Sequence, residues 1–155
     1  GSTVGKWAGR EHGVPGGFGF GEAEEGGLRA AAVAVVNAVG DVLADDGTVL
    51  AGTTAPADRR KPPPEERSPL PTNTVLALVA VEGTFEKREV RWLASRGSDG
   101  ITIAVRPAHT RYDGDVVFAI ATPADRGSKA ADLDILGPLA TAAVAAAVRD
   151  AVTND

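Results

Sequence analysis

The chain has 155 residues, 43% of them hydrophobic and 24% charged, so it can bury the core of a single domain. Its net charge of −5 argues against a nucleic-acid-binding surface, which needs a basic stripe. The absence of cysteine excludes disulfides and thiolate metal sites, and we expect a cytoplasmic protein.

The ends of the chain and its longest apolar stretches bear on processing and on membranes. It begins with Gly-Ser and contains no methionine, which predicts a fragment, a processed chain or an engineered one. No stretch reaches the roughly 18–20 apolar residues of a membrane-spanning helix. The segment 139–152 is interrupted by Arg149 and Asp150, so we expect no membrane partner.

The first half of the chain predicts mainly strands. Phenylalanine and glycine alternate within 16–21, which fits a strand whose backbone a neighbouring element approaches closely. A phosphate-binding loop is disfavoured because neither a preceding strand nor a following Gly-Lys-Ser/Thr is present. The apolar run 28–36 predicts a strand buried on both faces and ending at Asn37. An Asp-Gly pair then predicts a hairpin between short strands at 42–44 and 49–51.

A proline-rich loop or linker, 53–73, separates these strands from the second half. The apolar run 75–81 after it predicts another buried strand. Thr84 can cap a helix that starts near Phe85. Its pattern continues past two glycines to Ala104.

The last elements are a strand at 116–121 and a final helix. Ser128 can cap that helix, but Pro138 is tolerated only near the first turn, which favours a true start at Gly137. The apolar face of the helix consists of Leu136, Ala140, Ala143, Ala147 and Ala151. Adjacent strands without regular alternation of strand and helix predict a layered α+β fold.

The junction between Asn73 and Thr74 is the first candidate for chemistry. It places a hydroxyl residue at the start of a buried strand, directly after the proline-rich segment. A cut there would give Thr74 a free α-amine, whose pKa of about 7.7–8.0 suits a base for its own hydroxyl. This is the chemistry of an N-terminal nucleophile hydrolase. The alternative is a linker entering a strand that happens to begin with threonine.

Other polar residues could assist such a nucleophile. Asp113 and Asp115 flank a glycine on a tight turn, so both carboxylates can point to one side and orient a hydroxyl; an ordinary surface turn is the alternative. Asn37 is either a structural hydrogen-bonding residue or an oxyanion donor. Lys6 is either solvated or functional.

Neither histidine gives a strong functional signal, and the sequence lacks the features of a metal site. His109 has no evident Ser or Cys partner, which favours a structural role, and His12 indicates even less. The Asp-Gly-Asp turn lacks the further oxygen ligands of a calcium loop. We therefore predict neither a metal nor an organic cofactor.

Four segments together make the chain similar to the DmpA-type aminopeptidases, a family that includes the 6-aminohexanoate-oligomer (nylon oligomer) hydrolases. These segments are Thr3–Lys6, Val35–Val42, Asn73-Thr74 before an apolar strand, and Arg106–Asp115. The resemblance implies a four-layer αββα sandwich, of which this chain is the C-terminal part. It also implies autocatalytic cleavage between Asn73 and Thr74.

The resemblance implies a role for each candidate residue. Thr74 would be the nucleophile, Lys6 would help to set its protonation, and Asn37 would stabilise the oxyanion. Asp113 and Asp115 would orient Thr74. The aminopeptidase branch has Ser and Glu at these two positions, so the Asp pair favours the nylon-hydrolase branch. The substrate would be a short peptide or an ω-amide oligomer.

The resemblance also bears on organisation and partners. Residues 1–155 would be one domain, in which 1–73 ends an α-chain and 74–155 is the β-chain. A missing N-terminal segment or separate α-chain would be a partner, and the assembly would be a homo-tetramer. Two alternatives stay open. One is an acyltransferase of the ornithine acetyltransferase type, against which Asn73 counts because a small residue such as Ala is typical there. The other is an uncleaved, non-catalytic domain.

Overall fold

The computed structural model describes residues 1–60, 73–123 and 131–154, which form nine strands and two α-helices. The strands are β1 (Thr3–Val4), β2 (Val14–Pro15), β3 (Phe18–Glu25), β4 (Leu28–Asn37), β5 (Asp41–Leu43), β6 (Val49–Ala51), β7 (Thr74–Glu82), β8 (Val105–Arg106) and β9 (Val116–Thr122). The helices are α1 (Lys87–Ala104) and α2 (Leu133–Thr153).

The main sheet has four strands in the order β3-β4-β7-β9. The pairs β3–β4 and β4–β7 are antiparallel, and β7 and β9 are parallel. A parallel pair needs a crossover connection, which the chain makes by running through α1. A ribbon of β1 and β2 and a small sheet in the order β6-β5-β8 accompany the main sheet. This is the layered α+β arrangement that the sequence predicts.

Both helices pack against one face of the main sheet and against each other. The core between them is built mostly from alanine and valine, with Leu93, Ile101 and Leu136 among its largest fully buried side chains. Small side chains let the helices lie close to the sheet. The described residues thus supply one helical layer and one main sheet, two of the four layers of the predicted αββα sandwich.

Two glycines of β3 allow the closest approach between α2 and the sheet. A Cβ atom at Gly19 would lie 2.1 Å from the carbonyl oxygen of Ala147, and one at Gly21 would lie 2.3 Å from that of Ala143. Both distances are far shorter than van der Waals contact, and both partners are backbone atoms that cannot rotate away. The prediction that a neighbouring element closely approaches this strand is confirmed.

The opposite face of the main sheet carries exposed apolar side chains. Val35 on β4 and Leu76 on β7 are 42% and 44% exposed. The prediction that 28–36 is buried on both faces is therefore wrong for the described residues, where only the helical side of β4 and β7 is covered. A continuous apolar run cannot reveal whether a second layer is present. We call this surface the apolar face; it comprises Phe18, Phe20, Val35, Leu76, Phe118 and Ile120.

Helix α1 begins at Lys87, slightly later than predicted. Its N-cap is Glu86, and the Glu86 and Glu89 side chains form a reciprocal capping box with each other's backbone N–H groups. Thr84 lies outside the helix, so its predicted capping role is wrong. Reciprocal capping by two carboxylates satisfies two amides of the first turn, which a single threonine cannot do.

Helix α1 continues to Ala104 through two glycines, as predicted. A Cβ atom at Gly100 would lie 2.4 Å from the carbonyl oxygen of Thr141 on α2, and one at Gly97 would lie 2.9 Å from a methyl group of Val117 on β9. The glycines therefore permit close packing of α1 on α2 and on the sheet. That burial offsets their low helix propensity.

Helix α2 begins at Leu133, with Asp132 as its N-cap, rather than one residue before Pro138 as the sequence suggests. The Asp132 side chain accepts a hydrogen bond from an amide of the first turn. The early start also buries Leu136. The helix thus gains a capping hydrogen bond and a buried leucine, although Pro138 lies inside it. The predicted cap, Ser128, lies outside the described residues.

Helix α2 also bears on the membrane prediction. By length and composition alone, it is the one helix in the described ranges that could cross a membrane. However, 56% of its most apolar window is buried inside the protein. A helix that is apolar nearly all round is expected where it packs against a sheet and another helix.

Replacing Gly21 with alanine tests the close packing of β3 on α2. The new methyl group would overlap the Ala143 carbonyl, so we expect the free energy of unfolding to fall by on the order of 3 kcal/mol. Glu22→Ala is the matched control, because the Glu22 side chain is exposed and its ion pair with Arg29 is long, at 3.8 Å. Chemical denaturation of both variants measures the difference. Equal stabilities would contradict this account.

Candidate active site

Strands β4 and β7 bring two of the predicted site residues together. In their antiparallel register Asn37, the last residue of β4, lies opposite Thr74, the first residue of β7. Alternate residues of both strands are buried beneath the helices, and a one-residue slip would turn them to the other face. The register is therefore well specified, and it sets these two residues at one end of the sheet.

The peptide bond before Thr74 is held from several directions. The carbonyl oxygen of Asn73 accepts hydrogen bonds from the Gly114 N–H at 2.8 Å and from the Thr74 hydroxyl at 2.6 Å. The Asn73 side chain is buried, and its Nδ2 donates to the Tyr112 carbonyl at 3.2 Å. The acyl side of this bond is thus fixed against the turn that leads into β9.

The side-chain oxygen of Asn37 accepts hydrogen bonds from two residues near the start of the chain. This atom, Oδ1, accepts from the Lys6 Nζ at 2.7 Å and from the Thr3 N–H at 3.1 Å. Since the oxygen has two donors, the side chain of Asn37 is oriented, and its Nδ2 is the atom suited to donate to an oxyanion.

Lys6 is buried, with 8% of its surface exposed, and it lies close to Gly13. Burial and the positive charge of Arg10 lower the pKa of Lys6 from 10.5 to about 8, whereas Asp113 acts in the opposite direction. Lys6 therefore gains and loses its proton near the pH at which an α-amine does so.

Asp115 connects β7 with the segment before β9. Its Oδ1 accepts the N–H of Val75, the residue after Thr74, at 2.8 Å. Its Oδ2 lies 2.9 Å from the Nδ1 of His109 and also accepts the His109 backbone N–H at 3.3 Å. Only 4% of the Asp115 side chain is exposed. Both carboxylate oxygens therefore have fixed partners.

Asp113 contacts different segments from Asp115. Its Oδ1 accepts the Val39 N–H at 3.2 Å, and its Oδ2 accepts the hydroxyl of Thr110 at 2.6 Å and the Thr110 N–H at 3.1 Å. Its backbone forms an isolated parallel bridge with Asn73. Asp113 thus ties the loop after β4 to the turn that holds the Asn73 carbonyl.

Sequence reasoning missed the partners of His109. The ring Nε2 of His109 lies 3.2 Å from the Ser98 hydroxyl, although the sequence showed no evident partner. Ser98 lies on α1, and nothing in its local sequence marks it as functional. The Gly114 N–H was missed as well, because a backbone donor leaves no residue-type signal. Packing of α1 and the turn creates both contacts.

No group of three or more His, Cys, Asp or Glu side chains suited to hold a metal ion lies within residues 1–60, 73–123 and 131–154. In these ranges the polar groups near Thr74 are hydroxyl, amide, carboxylate and ammonium groups. Such groups can activate a nucleophile and stabilise an oxyanion.

The family model for peptidase family S58 matches residues 11–155. The chain belongs to this family. It is 39% identical over 146 residues to an uncharacterized aminopeptidase of Mycobacterium leprae, covering 86% of this chain and 40% of that protein. It is 36% identical over 115 residues to an uncharacterized aminopeptidase of Mycobacterium bovis, covering 64% of this chain and 33% of that protein. The chain thus spans less than half the length of these relatives.

Solved structures of the same fold support the architecture of this S58 chain. A Burkholderia sp. beta-aminopeptidase aligns with 88% of the chain at a TM-score of 0.57 and 20% identity, which covers 41% of that chain. The L-aminopeptidase D-Ala-esterase/amidase of Ochrobactrum anthropi, described as a variant of the Ntn hydrolase fold, aligns with 90% at 0.55 and 23% identity, which covers 40% of that chain. The α+β Ntn-hydrolase fold predicted from the sequence is confirmed.

The shifted pKa of Lys6 can be measured directly. The chain has four lysines, so NMR of their side-chain carbons resolves individual titrations. We expect one lysine to titrate at about pH 8 and this resonance to be absent from Lys6→Arg. A titration of all four near 10.5 would contradict the burial of Lys6.

The same shift affects stability. Because the folded pKa of Lys6, about 8, lies below its ordinary 10.5, the unfolded chain binds more protons between these pH values. The contribution of Lys6 to the free energy of unfolding therefore rises with pH across this window. Denaturation of the parent and Lys6→Met at pH 8 and pH 9.5 tests the sign. A parent that gains no stability relative to the variant would contradict it.

Proposed function

We propose that this chain carries the nucleophile of a self-processing N-terminal threonine aminopeptidase. The observation that carries the proposal is the 2.6 Å hydrogen bond between the Thr74 hydroxyl and the carbonyl oxygen of Asn73. This contact supports the proposal because the hydroxyl that would attack lies beside the peptide bond that would be cut. Membership of the S58 family and the aminopeptidase names of the relatives support the activity class.

The processing step follows from this contact. The Thr74 Oγ1 attacks the Asn73 carbonyl carbon, and the negative charge that develops on the carbonyl oxygen is stabilised by the Gly114 N–H. The C–N bond then breaks, the hydroxyl proton passes to the Thr74 nitrogen, and an ester joins the two residues. Water hydrolyses the ester, which leaves a carboxylate at Asn73 and a free amine at Thr74.

Turnover uses the amine that processing creates. The α-amine of Thr74 removes the hydroxyl proton as the oxygen attacks a substrate amide, and then donates it to the departing amine. Water next releases the acyl group from the ester, and the nucleophile is regenerated. The α-amine therefore serves as both base and acid, and no cofactor is required by this scheme.

The surrounding residues have distinct roles in the proposal. Asn37 donates from Nδ2 to the substrate oxyanion, with its orientation fixed by Lys6 and Thr3 on Oδ1. Lys6, whose pKa is about 8, influences the protonation of the Thr74 amine. Asp115 orients the start of β7 through the amide after Thr74, and Asp113 fixes the turn behind the Asn73 carbonyl.

For the substrate we propose a short peptide or an ω-amide oligomer of the nylon type. Two features support this class. One is the pair of aspartates at 113 and 115, by which the chain resembles the nylon-oligomer hydrolases. The other is the fold likeness to a beta-aminopeptidase.

The apolar face indicates where the rest of the catalytic unit would pack. Phe18 and Phe118 are 63% and 57% exposed there, and contiguous exposed apolar surface of this kind marks an interface. Since the chain covers 40% of the Mycobacterium leprae relative, we propose that further polypeptide, in the same chain or a separate one, places a second sheet on this face. We expect the complete unit to form a homo-tetramer, as the family resemblance implies.

Intact-mass analysis of freshly folded protein tests the processing step. We expect the parent to yield two chains, 1–73 and 74–155, whereas Thr74→Ala stays whole because it lacks the attacking hydroxyl. Thr74→Ser is the matched control, since it keeps a hydroxyl and is expected to be cut. A folded parent that remains whole, or a Thr74→Ala variant that is cut equally, would sink the mechanism.

Product analysis separates hydrolysis from acyl transfer. Processed protein is incubated with a short amide or an ω-amide dimer, with and without a primary amine as acyl acceptor. We expect free acid as the main product under both conditions, because water is the acceptor in the proposed scheme. Predominant transfer to the amine would instead support the acyltransferase alternative, and the absence of any product from the complete unit would favour a non-catalytic domain.

A further inference from the structure

His109 is bound to Asp115 by two atoms on the same side of the carboxylate. The ring Nδ1 and the backbone N–H of His109 both contact Asp115 Oδ2, at 2.9 Å and 3.3 Å. The other oxygen, Oδ1, contacts the Val75 N–H at 2.8 Å. His109 therefore fixes the rotation of the carboxylate that meets the residue after Thr74.

The second ring nitrogen of His109 is also held. Its Nε2 lies 3.2 Å from the Ser98 hydroxyl and 3.4 Å from the Ser98 carbonyl oxygen. The backbone of His109 has a φ of 50°, in the left-handed region, which is uncommon for residues other than glycine and which asparagine, aspartate and histidine adopt more often than the rest. Because both ring nitrogens lie near partners, the imidazole of His109 is held in one orientation.

We infer that His109 is a positioning residue, which holds Asp115 so that its Oδ1 faces the amide following the nucleophile. The catalytic consequence of this role rests on the proposed function, whereas the contacts between His109 and Asp115 do not. Without His109, Asp115 Oδ2 loses its closest donor, and the nearly buried carboxylate can rotate away from Val75. The start of β7, and with it the Thr74 hydroxyl, then loses one of its restraints.

The linear order of Ser98, His109 and Asp115 also resembles a Ser-His-Asp triad. Two observations favour the positioning role over a second nucleophile at Ser98. The carboxylate of Asp115 serves the β7 amide as well as the imidazole, and Ser98 lies in the middle of α1 rather than at an exposed turn. Ser98 then supports His109 and reacts with nothing.

Replacement of His109 by two different amides provides a matched pair of variants. In asparagine the side-chain N–H₂ takes the place of Nδ1 and can still donate to Asp115, and asparagine tolerates a positive φ. In glutamine the N–H₂ lies in the place of Nε2, towards Ser98. His109→Ala removes the imidazole contacts with Asp115 and Ser98 but keeps the backbone N–H bond to Asp115, and Ser98→Ala removes only the hydroxyl contact with Nε2.

Processing rates of these variants, measured by intact mass on the whole chain, test the catalytic consequence. We expect His109→Ala and His109→Gln to be cut about tenfold more slowly than the parent, and His109→Asn and Ser98→Ala to stay within about threefold of it. Rescue by asparagine but not by glutamine identifies the Asp115 contact. Cleavage of His109→Ala at the parent rate, equal loss in both amide variants, or loss of all activity in Ser98→Ala would overturn the inference.

A second measurement tests the geometry without any processing. In a Thr74→Ala background, amide hydrogen exchange at Val75 reports its bond to Asp115. We expect exchange to accelerate when His109→Ala is added and to return to the background rate with His109→Asn. Unchanged exchange in His109→Ala would overturn the positioning role. The expected exchange pattern combined with a parent that is never cut would uphold the role and reject the proposed function instead.

Discussion

The antiparallel register between β4 and β7 is the constraint on which the rest of the site depends. It sets Asn37 opposite Thr74, and it is fixed because alternate residues of both central strands are buried beneath the helices. A shift by one residue would expose that core and separate the amide from the hydroxyl. Packing of alanine and valine side chains in the core therefore determines where the Asn37 amide and the Thr74 hydroxyl lie relative to each other.

The polar groups at this end of the sheet are coupled through the backbone as much as through side chains. Asp113 joins the loop after β4 to the turn that contacts Asn73, while Asp115 joins the start of β7 to His109. Burial of Lys6 beside them lowers its pKa towards that of an α-amine. A site assembled in this way holds the bond before Thr74 through several hydrogen bonds and includes one amine, Lys6, whose pKa is lowered to about 8.

The sequence predicted most elements, because hydrophobic patterning and glycine placement reflect local requirements. The strands around 28–36, 75–81 and 116–121, and the glycine-lined approach to 16–21, were identified correctly. Helix starts were less predictable: a carboxylate capping box displaced Thr84, and the Asp132 cap allowed α2 to begin before its proline. The exposed side of the main sheet was mistaken for core, since an apolar run does not state how many layers cover it.

The sequence by itself determined the family and the α+β class, because these depend on residue types in a fixed order along the chain. It also supplied the candidate residues Lys6, Asn37, Asn73, Thr74, Asp113 and Asp115. Only the tertiary structure decided which of their atoms meet. The contacts of Ser98 with His109, and of the Gly114 N–H with the Asn73 carbonyl, join segments whose approach depends on helix packing and turn geometry. Hydrogen bonds act over about 3 Å, and no pattern in the chain specifies distances on that scale.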